Sequence, residues 1–326
     1  MRAVRYERYG GPERLRLVDA PLPVRGRGQV LVKVSASSVN SWDWDLLRGS
    51  ALARIGAPRR PAHPVLGADV SGEVVAVGPA GDGSAAFAVG DAVWGDLSAA
   101  GWAGFADVVA TDAAALRRRP AGVDPIAAAA VPQAGGLAWQ SLVDVAALRA
   151  GERVLIVGAG GGAGTIAVQL ARHLGAGEVV AVDRAAKLDL LRGIGATETV
   201  EADAADELFA EGAGSGRFDV IVDLVAGRPL AAYRRALRPN GRFVVVGGRL
   251  RTIGRVAATA GRPDAEGRTF RLLAAEPNGG LDELGELVAS GALAPVIEEV
   301  LPLERAPEAL ARIGAGTVLG KLVIAP

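Results

Sequence analysis

Arg153-Val-Leu-Ile-Val157 runs straight into Gly158-Ala-Gly-Gly-Gly-Ala-Gly164 and then into Thr165-Ile-Ala-Val-Gln-Leu-Ala-Arg-His-Leu174. A short apolar run, a glycine cluster and an amphipathic run of helical period read as a buried strand, a tight turn and a helix. From Val154 to Ala171 there are eighteen residues without a charge, the lower limit for a membrane-spanning helix. Five of them are glycines clustered mid-stretch, which suits strand, turn and helix and not one continuous helix. Within the cluster, Gly158, Gly160 and Ala163 match the G-x-G-x-x-G/A pattern. The first glycine permits the sharp turn, the second lets backbone approach a pyrophosphate, and a small third residue lets the helix pack close to the strand. The unpaired N–H groups and positive dipole end of such a helix face the phosphates.

Downstream, apolar strands and helical segments alternate. Val179–Val182, Phe218–Asp223 and Phe243–Val246 read as strands; Lys187–Gly193 and Leu230–Leu237 read as helices. That alternation predicts parallel βαβ units, hence an α/β doubly wound sheet. The second strand ends in Asp183, nineteen residues after Gly164, where an acid meets the ribose hydroxyls of a dinucleotide. Asp183 favours NADH, whereas Arg184 and Lys187 suit the extra phosphate of NADPH or are simply a solvated helix start, so NAD(H) and NADP(H) both stand.

Upstream, short Val-rich runs at Ala3–Tyr6, Leu15–Val18, Val30–Val34, Val70–Val77, Val89–Val93 and Ala106–Ala110 are separated by Gly, Pro and Asp clusters. They predict a compact antiparallel barrel-like unit, with a helical turn or two at Trp42–Arg48. Ile126–Leu148 reads as helical apart from a break at Pro132–Gly136. After Gly248 an Arg- and Gly-rich segment without period runs to about Arg268. Then come a helix at Leu281–Ala289, a strand at Val296–Leu301, a helix at Pro307–Ile313 and a strand at Lys321–Ile324. The division expected is 1–124 with 269–326 as one unit and 125–268 as the other, the tail packing back on the first.

Composition narrows the chemistry. The 326 residues hold 36 basic and 36 acidic side chains and no cysteine. No disulfide, thiol nucleophile, Fe–S cluster or thiolate zinc site is possible. Zero net charge argues against a nucleic-acid partner that needs many phosphates neutralised. Only Lys33, Lys187 and Lys321 are lysines, so the arginine excess is a compositional bias and no single Arg marks a site. The charged N-terminal stretch does not suit a signal peptide, and a cytoplasmic protein without a membrane partner is expected. No Tyr is followed four residues on by Lys, and there is no HExxH, GxSxG or Walker A pattern. His173 lies late in the cofactor helix; His63 lies in a Pro- and Arg-rich loop.

Segments from end to end carry a resemblance. They are Tyr9-Gly-Gly-Pro-Glu13, Gly28-Gln-Val-Leu-Val-Lys-Val34, Val39-Asn40 with Asp43, Gly67-Ala-Asp-Val-Ser-Gly72, Val89-Gly-Asp-Ala-Val93, Ala138-Trp-Gln140, the glycine turn, Leu237-Arg-Pro-Asn-Gly-Arg242 and Gly320-Lys-Leu-Val323. In these the chain resembles the medium-chain dehydrogenase/reductase superfamily, in its zinc-free quinone oxidoreductase-like branch. The resemblance implies a Rossmann domain plus a GroES-like β-barrel catalytic domain, and a homodimer. Where the family's zinc enzymes have a Cys, a His-Glu pair and a later Cys or Asp, this chain has Asn40, Ala68-Asp69 and a position close to Gln133, so no metal is expected. What is implied instead is NAD(P)H-dependent reduction of a small molecule, a quinone or a conjugated enone, by hydride transfer in a cleft.

The resemblance places Asn40 and Asp43 as catalytic-site residues; by themselves they also read as a turn cap and a helix N-terminal acid. Trp42, Trp44 and His63 are expected at the substrate pocket, although a core place suits the tryptophans equally. Cofactor contacts are expected at Gly158, Gly160, Gly161, Gly162, Ala163, Gly164, Asp183, Arg184 and Lys187, and after the strands ending at Asp223 and at Gly247 and Gly248. Ala51–Pro64 and Arg249–Arg268 are the loops expected to border the substrate. Two alternatives remain: an enoyl reductase or alcohol dehydrogenase of a biosynthetic pathway, and a nucleotide-binding protein with little turnover.

Overall fold

A computed structural model describes residues 1–79, 81, 87–212, 215–248, 250–259 and 261–326. The chain divides into two compact units, Met1–Gln133 with Leu281–Pro326, and Ala134–Gly280.

The second unit is built on a six-stranded sheet in the order Glu198–Glu201, Glu178–Asp183, Arg153–Val157, Phe218–Asp223, Leu237–Val245, Thr269–Leu272. Every pairing is parallel. The strand order reverses between Arg153–Val157 and Phe218–Asp223, the switch point outside which ligands bind in doubly wound sheets. The central strands are buried on both faces, as Val154-Leu155-Ile156 and Val220-Ile221-Val222 require. Val154–Ala171 resolves into the strand Arg153–Val157, the turn and the helix Gly162–His173. No helix among the described residues is long and apolar enough to cross a membrane.

The two outer strands of this sheet, Glu198–Glu201 and Thr269–Leu272, were not legible as strands. Edge strands carry charges where central ones carry Val and Ile, and Glu198, Glu201 and Arg271 break the apolar pattern. Thr269–Leu272 pairs with Leu237–Val245, so the boundary expected at 268/269 moves to 280/281. The expected boundary at 124/125 also moves, because the helix Pro125–Ala129 packs on the strands Gln29–Ser38 and Asp69–Val77 of the first unit. The expected break at Pro132–Gly136 is instead the first turn of a helix, Pro132–Trp139. Proline at a helix start gives up an N–H that had no partner there. Leu250–Ala258, expected to be irregular, is a helix; Arg249 and Ala260 of that expected loop lie outside the described residues.

The first unit holds a seven-stranded sheet. Its main path is Ile297–Pro302, Lys321–Ala325, Gln29–Ser38, Asp69–Val77, Ala92–Asp96 and Arg117–Arg118, and Val108–Asp112 also pairs with Gln29–Ser38. The tail does return: Val323 and Ile324 register against Ser38 and Ser37. Gln29–Ser38 is therefore the hub, contacting the tail, the strand Asp69–Val77 and the strand Val108–Asp112 at once. That geometry carries the ends of three strands and the helix Ser41–Arg48 to one place, where Asn40, Asp69 and Lys321 meet.

Candidate functional site

In the second unit the glycine turn, the segment after Asp223 and the pair Gly247-Gly248 converge at the carboxyl ends of the central strands. A Cβ on Gly158, which has φ of +81°, would stand 3.0 Å from Val225 Cγ2. One on Gly248 would stand 2.1 Å from the Val225 carbonyl, and one on Gly247 3.5 Å from that of Leu224. The helix begins at Gly162 with Gly161 as its N-terminal cap residue, in extended backbone at φ −89° and ψ 179°. At Gly161 the nearest atom to a built Cβ is 3.8 Å away, so the outer face of the turn is open. Gly164 is the opposite case. Its Cβ would fall 2.4 Å from the Gly158 carbonyl and 2.5 Å from Ala159 Cα.

The close helix–strand contact thus belongs to Gly164, and the packing role expected of Ala163 is corrected: Ala163 is only half-buried, pointing off the strand, one residue out of register. Gly160 is also spoken for, since a Cβ there would meet Lys187 Cδ at 2.5 Å. Asp183 braces this turn. Its Oδ2 accepts the Gly160 N–H at 2.7 Å, its Oδ1 accepts the Arg184 N–H at 2.8 Å, and Lys187 Nζ lies 3.7 Å from Oδ1. Lys187 is buried while the Arg184 side chain is exposed, so of the two expected cations only Arg184 reaches outward.

Asp223 is fully buried. Its Oδ1 accepts the N–H groups of Val225 and Ala226, at 2.8 and 2.6 Å, and its Oδ2 accepts the Tyr233 hydroxyl at 2.7 Å. Burial raises its pKa, and those donors pull it back. Its side chain therefore shapes the segment Leu224–Ala226, in which Ala226 has φ of +43°. Contacts to a ligand there fall to the backbone.

In the first unit, Asn40, Asp43, Asp69, Asp96, Gln133 and Lys321 form a buried polar cluster. Asp69 Oδ2 accepts Ser38 Oγ–H at 2.7 Å and Asn40 Nδ2–H at 2.9 Å, and Oδ1 accepts the Gln133 N–H at 2.8 Å. Lys321 Nζ donates to Asn40 Oδ1 at 2.5 Å and stands 3.5 Å from Asp69 Oδ2. Burial lowers the Lys321 pKa while Asp69 and Asp43 raise it. Burial pushes Asp96 up to about 6, with Asp69 adding to the rise. The buried Gln133 side-chain amide lies against the Asp96 carboxylate and pulls its pKa back down.

Asp43 was expected to be catalytic, and the structure corrects this. It is fully buried, its Oδ2 accepts the Asn40 N–H and its Oδ1 the Gly67 N–H, both at 2.8 Å. Burial pushes it up to about 7 against the pull of those two bonds. It fixes the start of the helix Ser41–Arg48 to the strand entry at Gly67, and its oxygens have no exposed face for a substrate. Trp44 is corrected as well. It is half-buried against the core cluster that includes Leu310, and so close to the last helix that a Cβ on Gly314 would stand 2.4 Å from its ring.

Trp42 and His63 do come together, on a residue that sequence reading missed. Trp102 lies 5.9 Å from Trp42, edge to face, and 6.0 Å from His63, centroid to centroid. Trp102 has φ of +66° and Ala103 φ of +79°, left-handed backbone that costs non-glycine residues on the order of 1 kcal/mol each. The available signal was Gly101-Trp-Ala-Gly104, an aromatic residue held in a glycine turn. Burial lowers the His63 pKa, opposed by a hydrogen bond to the Gly101 backbone. Trp42 keeps about half its surface exposed, 49%, so this aromatic face is open on one side.

The alcohol dehydrogenase GroES-like domain family matches residues 26–148, and the zinc-binding dehydrogenase family matches residues 194–324. The chloroplastic quinone-oxidoreductase QR1 of Triphysaria versicolor is 31% identical over all of this chain and 98% of its own length. The chain belongs to the medium-chain dehydrogenase/reductase superfamily. It has the Rossmann and GroES-like domains expected of that superfamily. The quinone oxidoreductase from Coxiella burnetii superposes with a TM-score of 0.86, at 29% identity, over 100% of this chain and 99% of that one. A mycobacterial structure complexed with NADPH superposes at 0.80, with 25% identity and full coverage of both. Polyketide synthase GfsB of Streptomyces halstedii is 38% identical over 91% of the chain, which corresponds to 5% of that synthase. The chain therefore spans a small part of that relative and nearly the whole of the quinone oxidoreductases.

A nicotinamide dinucleotide fits this dehydrogenase/reductase. The turn is closed to side chains at Gly158, Gly160 and Gly164 and open at Gly161, next to a helix N-terminus that takes anions without further help.

Proposed function

We propose that the protein reduces a quinone or a conjugated enone with NAD(P)H and without zinc. The observation that carries the cofactor half is the glycine turn, open at Gly161 and braced by Asp183. When bound, the cofactor supplies the hydride. The chain's own residues then have two tasks. In the second unit, Gly161 and the helix N-terminus hold the pyrophosphate. Asp183 faces the ribose end, with the exposed Arg184 beside it able to meet an added phosphate, so both dinucleotides are accepted.

In the first unit, Asn40 is the group for the acceptor oxygen. Its side chain is fixed at both ends, and one of its two amide hydrogens goes to Asp69. The other is available to the oxygen on which negative charge develops as hydride arrives at the β-carbon of an enone or at a quinone. Water supplies the closing proton. The half-exposed ring of Trp42, held edge to face by the buried Trp102 beside His63, offers an apolar face suited to a ring.

Zinc does not fit these residues. Of Asn40, Ala68, Asp69 and Gln133 only Asp69 is an ordinary zinc ligand, and it already accepts three hydrogen bonds and faces an ammonium group. Among the described residues no group of three or more His, Cys, Asp and Glu is placed to hold a metal ion.

A second reading, an enoyl reductase serving a biosynthetic pathway, is favoured by the 38% identity to the polyketide synthase segment. The two share hydride transfer to a conjugated carbonyl and differ in the acceptor. We further propose a cytoplasmic homodimer whose only ligands are small molecules.

The test is to titrate NADH and NADPH by fluorescence and then follow cofactor absorbance with 1,4-benzoquinone, a conjugated aldehyde, a 2-enoyl thioester and a simple ketone. Turnover of the first two, with the ketone inert, supports the proposal. Turnover of the thioester alone moves it to the second reading, and tight binding without any turnover sinks both.

A further inference from the structure

Lys321 is one of three lysines in a chain of 36 basic residues, and only 3% of its side chain is exposed. An ammonium taken out of water costs several kcal/mol unless its partners compensate. The structure supplies those partners from separate parts of the chain. Lys321 opens the last strand, Asn40 precedes the helix Ser41–Arg48, Asp69 opens its own strand, and all three side chains meet. Pairing with Asp69 at 3.5 Å leaves the nearer contact to a neutral oxygen, Asn40 Oδ1. A lysine serving only to neutralise Asp69 would be expected to sit closest to the carboxylate.

The amide is gripped from both ends. Its oxygen faces the ammonium and its nitrogen faces the carboxylate, which fixes its orientation and polarises it along one direction. Withdrawing electron density at Oδ1 makes the remaining Nδ2–H a stronger donor. Gln133, whose side-chain amide lies against the Asp96 carboxylate and whose backbone N–H goes to Asp69, is a second amide in the same cluster.

We propose that Lys321 is a positioning residue for the reduction: as a buried cation it acts through Asn40 Oδ1 to orient and sharpen the amide donor that meets the substrate oxygen. The inference rests on the proposed function for the identity of that substrate. The orientation of Asn40 can be tested without it.

The chain has three asparagines, Asn40, Asn240 and Asn278, so selective 15N-Asn labelling gives three side-chain amide pairs, assigned with Asn240→Asp and Asn278→Asp. In Lys321→Met the Asn40 pair shifts while the other two stay, and kcat with 1,4-benzoquinone falls about 10-fold, less than the ~10²–10³-fold of losing a direct donor. The dinucleotide affinity stays unchanged. If Lys321→Met fails to fold because Asp69 is left unpaired, Asp69→Asn with Lys321→Met leaves the cluster's net charge unchanged and carries the same expectation for kcat.

The absence of cysteine allows a rescue. Lys321→Cys, alkylated with 2-bromoethylamine in mild denaturant and refolded, regains a lysine-like ammonium at this one thiol, whereas iodoacetamide adds a neutral group. Recovery of kcat with the first adduct and not the second supports the proposal. An unmoved Asn40 pair with wild-type kcat in Lys321→Met overturns it, as does equal rescue by the neutral adduct. A wild-type protein that oxidises no acceptor defeats the proposed function instead, and the Asn40 resonances then decide Lys321 alone.

Discussion

Gly164 and Gly161 lie three residues apart in the same turn, and the structure assigns them opposite tasks. A methyl on Gly164 would lie 2.4–2.5 Å from three backbone atoms of Gly158 and Ala159, about 1 Å inside ordinary contact. Backbone cannot rotate away as a side chain can, so the helix start must move by roughly that distance. Overpacking of this kind costs up to about 3 kcal/mol, and Gly→Ala inside a helix returns about 1 kcal/mol. Gly164→Ala should therefore lose about 2 kcal/mol, a fall of roughly 4–8 °C in Tm for a unit of this size. Gly161→Ser should not. Its backbone is extended, nothing lies within 3.4 Å of the new Cβ, and serine is a preferred N-cap residue. What Gly161→Ser fills is the open face to which the pyrophosphate is assigned, so Kd for NADPH should rise about 10-fold or more, ~1.4 kcal/mol. Calorimetry without cofactor and fluorescence titration with it separate the two effects. A Gly164→Ala protein within 1 °C (~0.3 kcal/mol) of wild type, or a Gly161→Ser protein that binds NADPH normally, would show that the two glycines do not have these tasks.

Asp183→Ser removes the brace on Gly160 and the charge at the ribose, so both dinucleotides weaken in fluorescence titrations, NADH more than NADPH. Tyr233→Phe leaves the buried Asp223 short of one donor and should destabilise the protein by about 1–3 kcal/mol in urea unfolding. The lowered pKa of His63 gives a pH effect of definite sign. In the window from its folded pKa up to the unfolded value of about 6.5, the unfolded chain binds more protons, so stability is lost as pH falls through that window. His63→Gln should flatten that limb of a Tm–pH profile; an unchanged limb would mean that His63 is solvated.

How much was legible in advance depended on how each feature is encoded. The central strands and the glycine turn write themselves as local pattern, and the return of the tail followed from its being too short for a core of its own. Edge strands such as Glu198–Glu201 did not, because an edge is half exposed and its charges erase the periodicity. Ala163 and Gly164 differ by one residue in a run of small side chains, and only the packing of helix on strand tells which of them touches. The buried cluster was half visible. Asn40 and Asp43 were read from the segment around the helix start, but nothing local says that Asp43 faces inward to two backbone amides. Nor could the sequence link Lys321 to Asn40, 281 positions away, because that contact exists only through the tail strand's pairing with Gln29–Ser38. Trp102 lay outside any apolar period, in a backbone conformation that residue type seldom adopts.

Zinc-free hydride transfer is measured most directly by label transfer from 4-deuterated NADPH, both epimers, to a conjugated enone, using protein passed over a chelating resin and assayed for zinc. One deuterium is expected on the β-carbon of the product from one epimer only, at a rate unaffected by chelation. Cofactor bound tightly with no deuterium in the product, or transfer that returns only when zinc is added back, would contradict it.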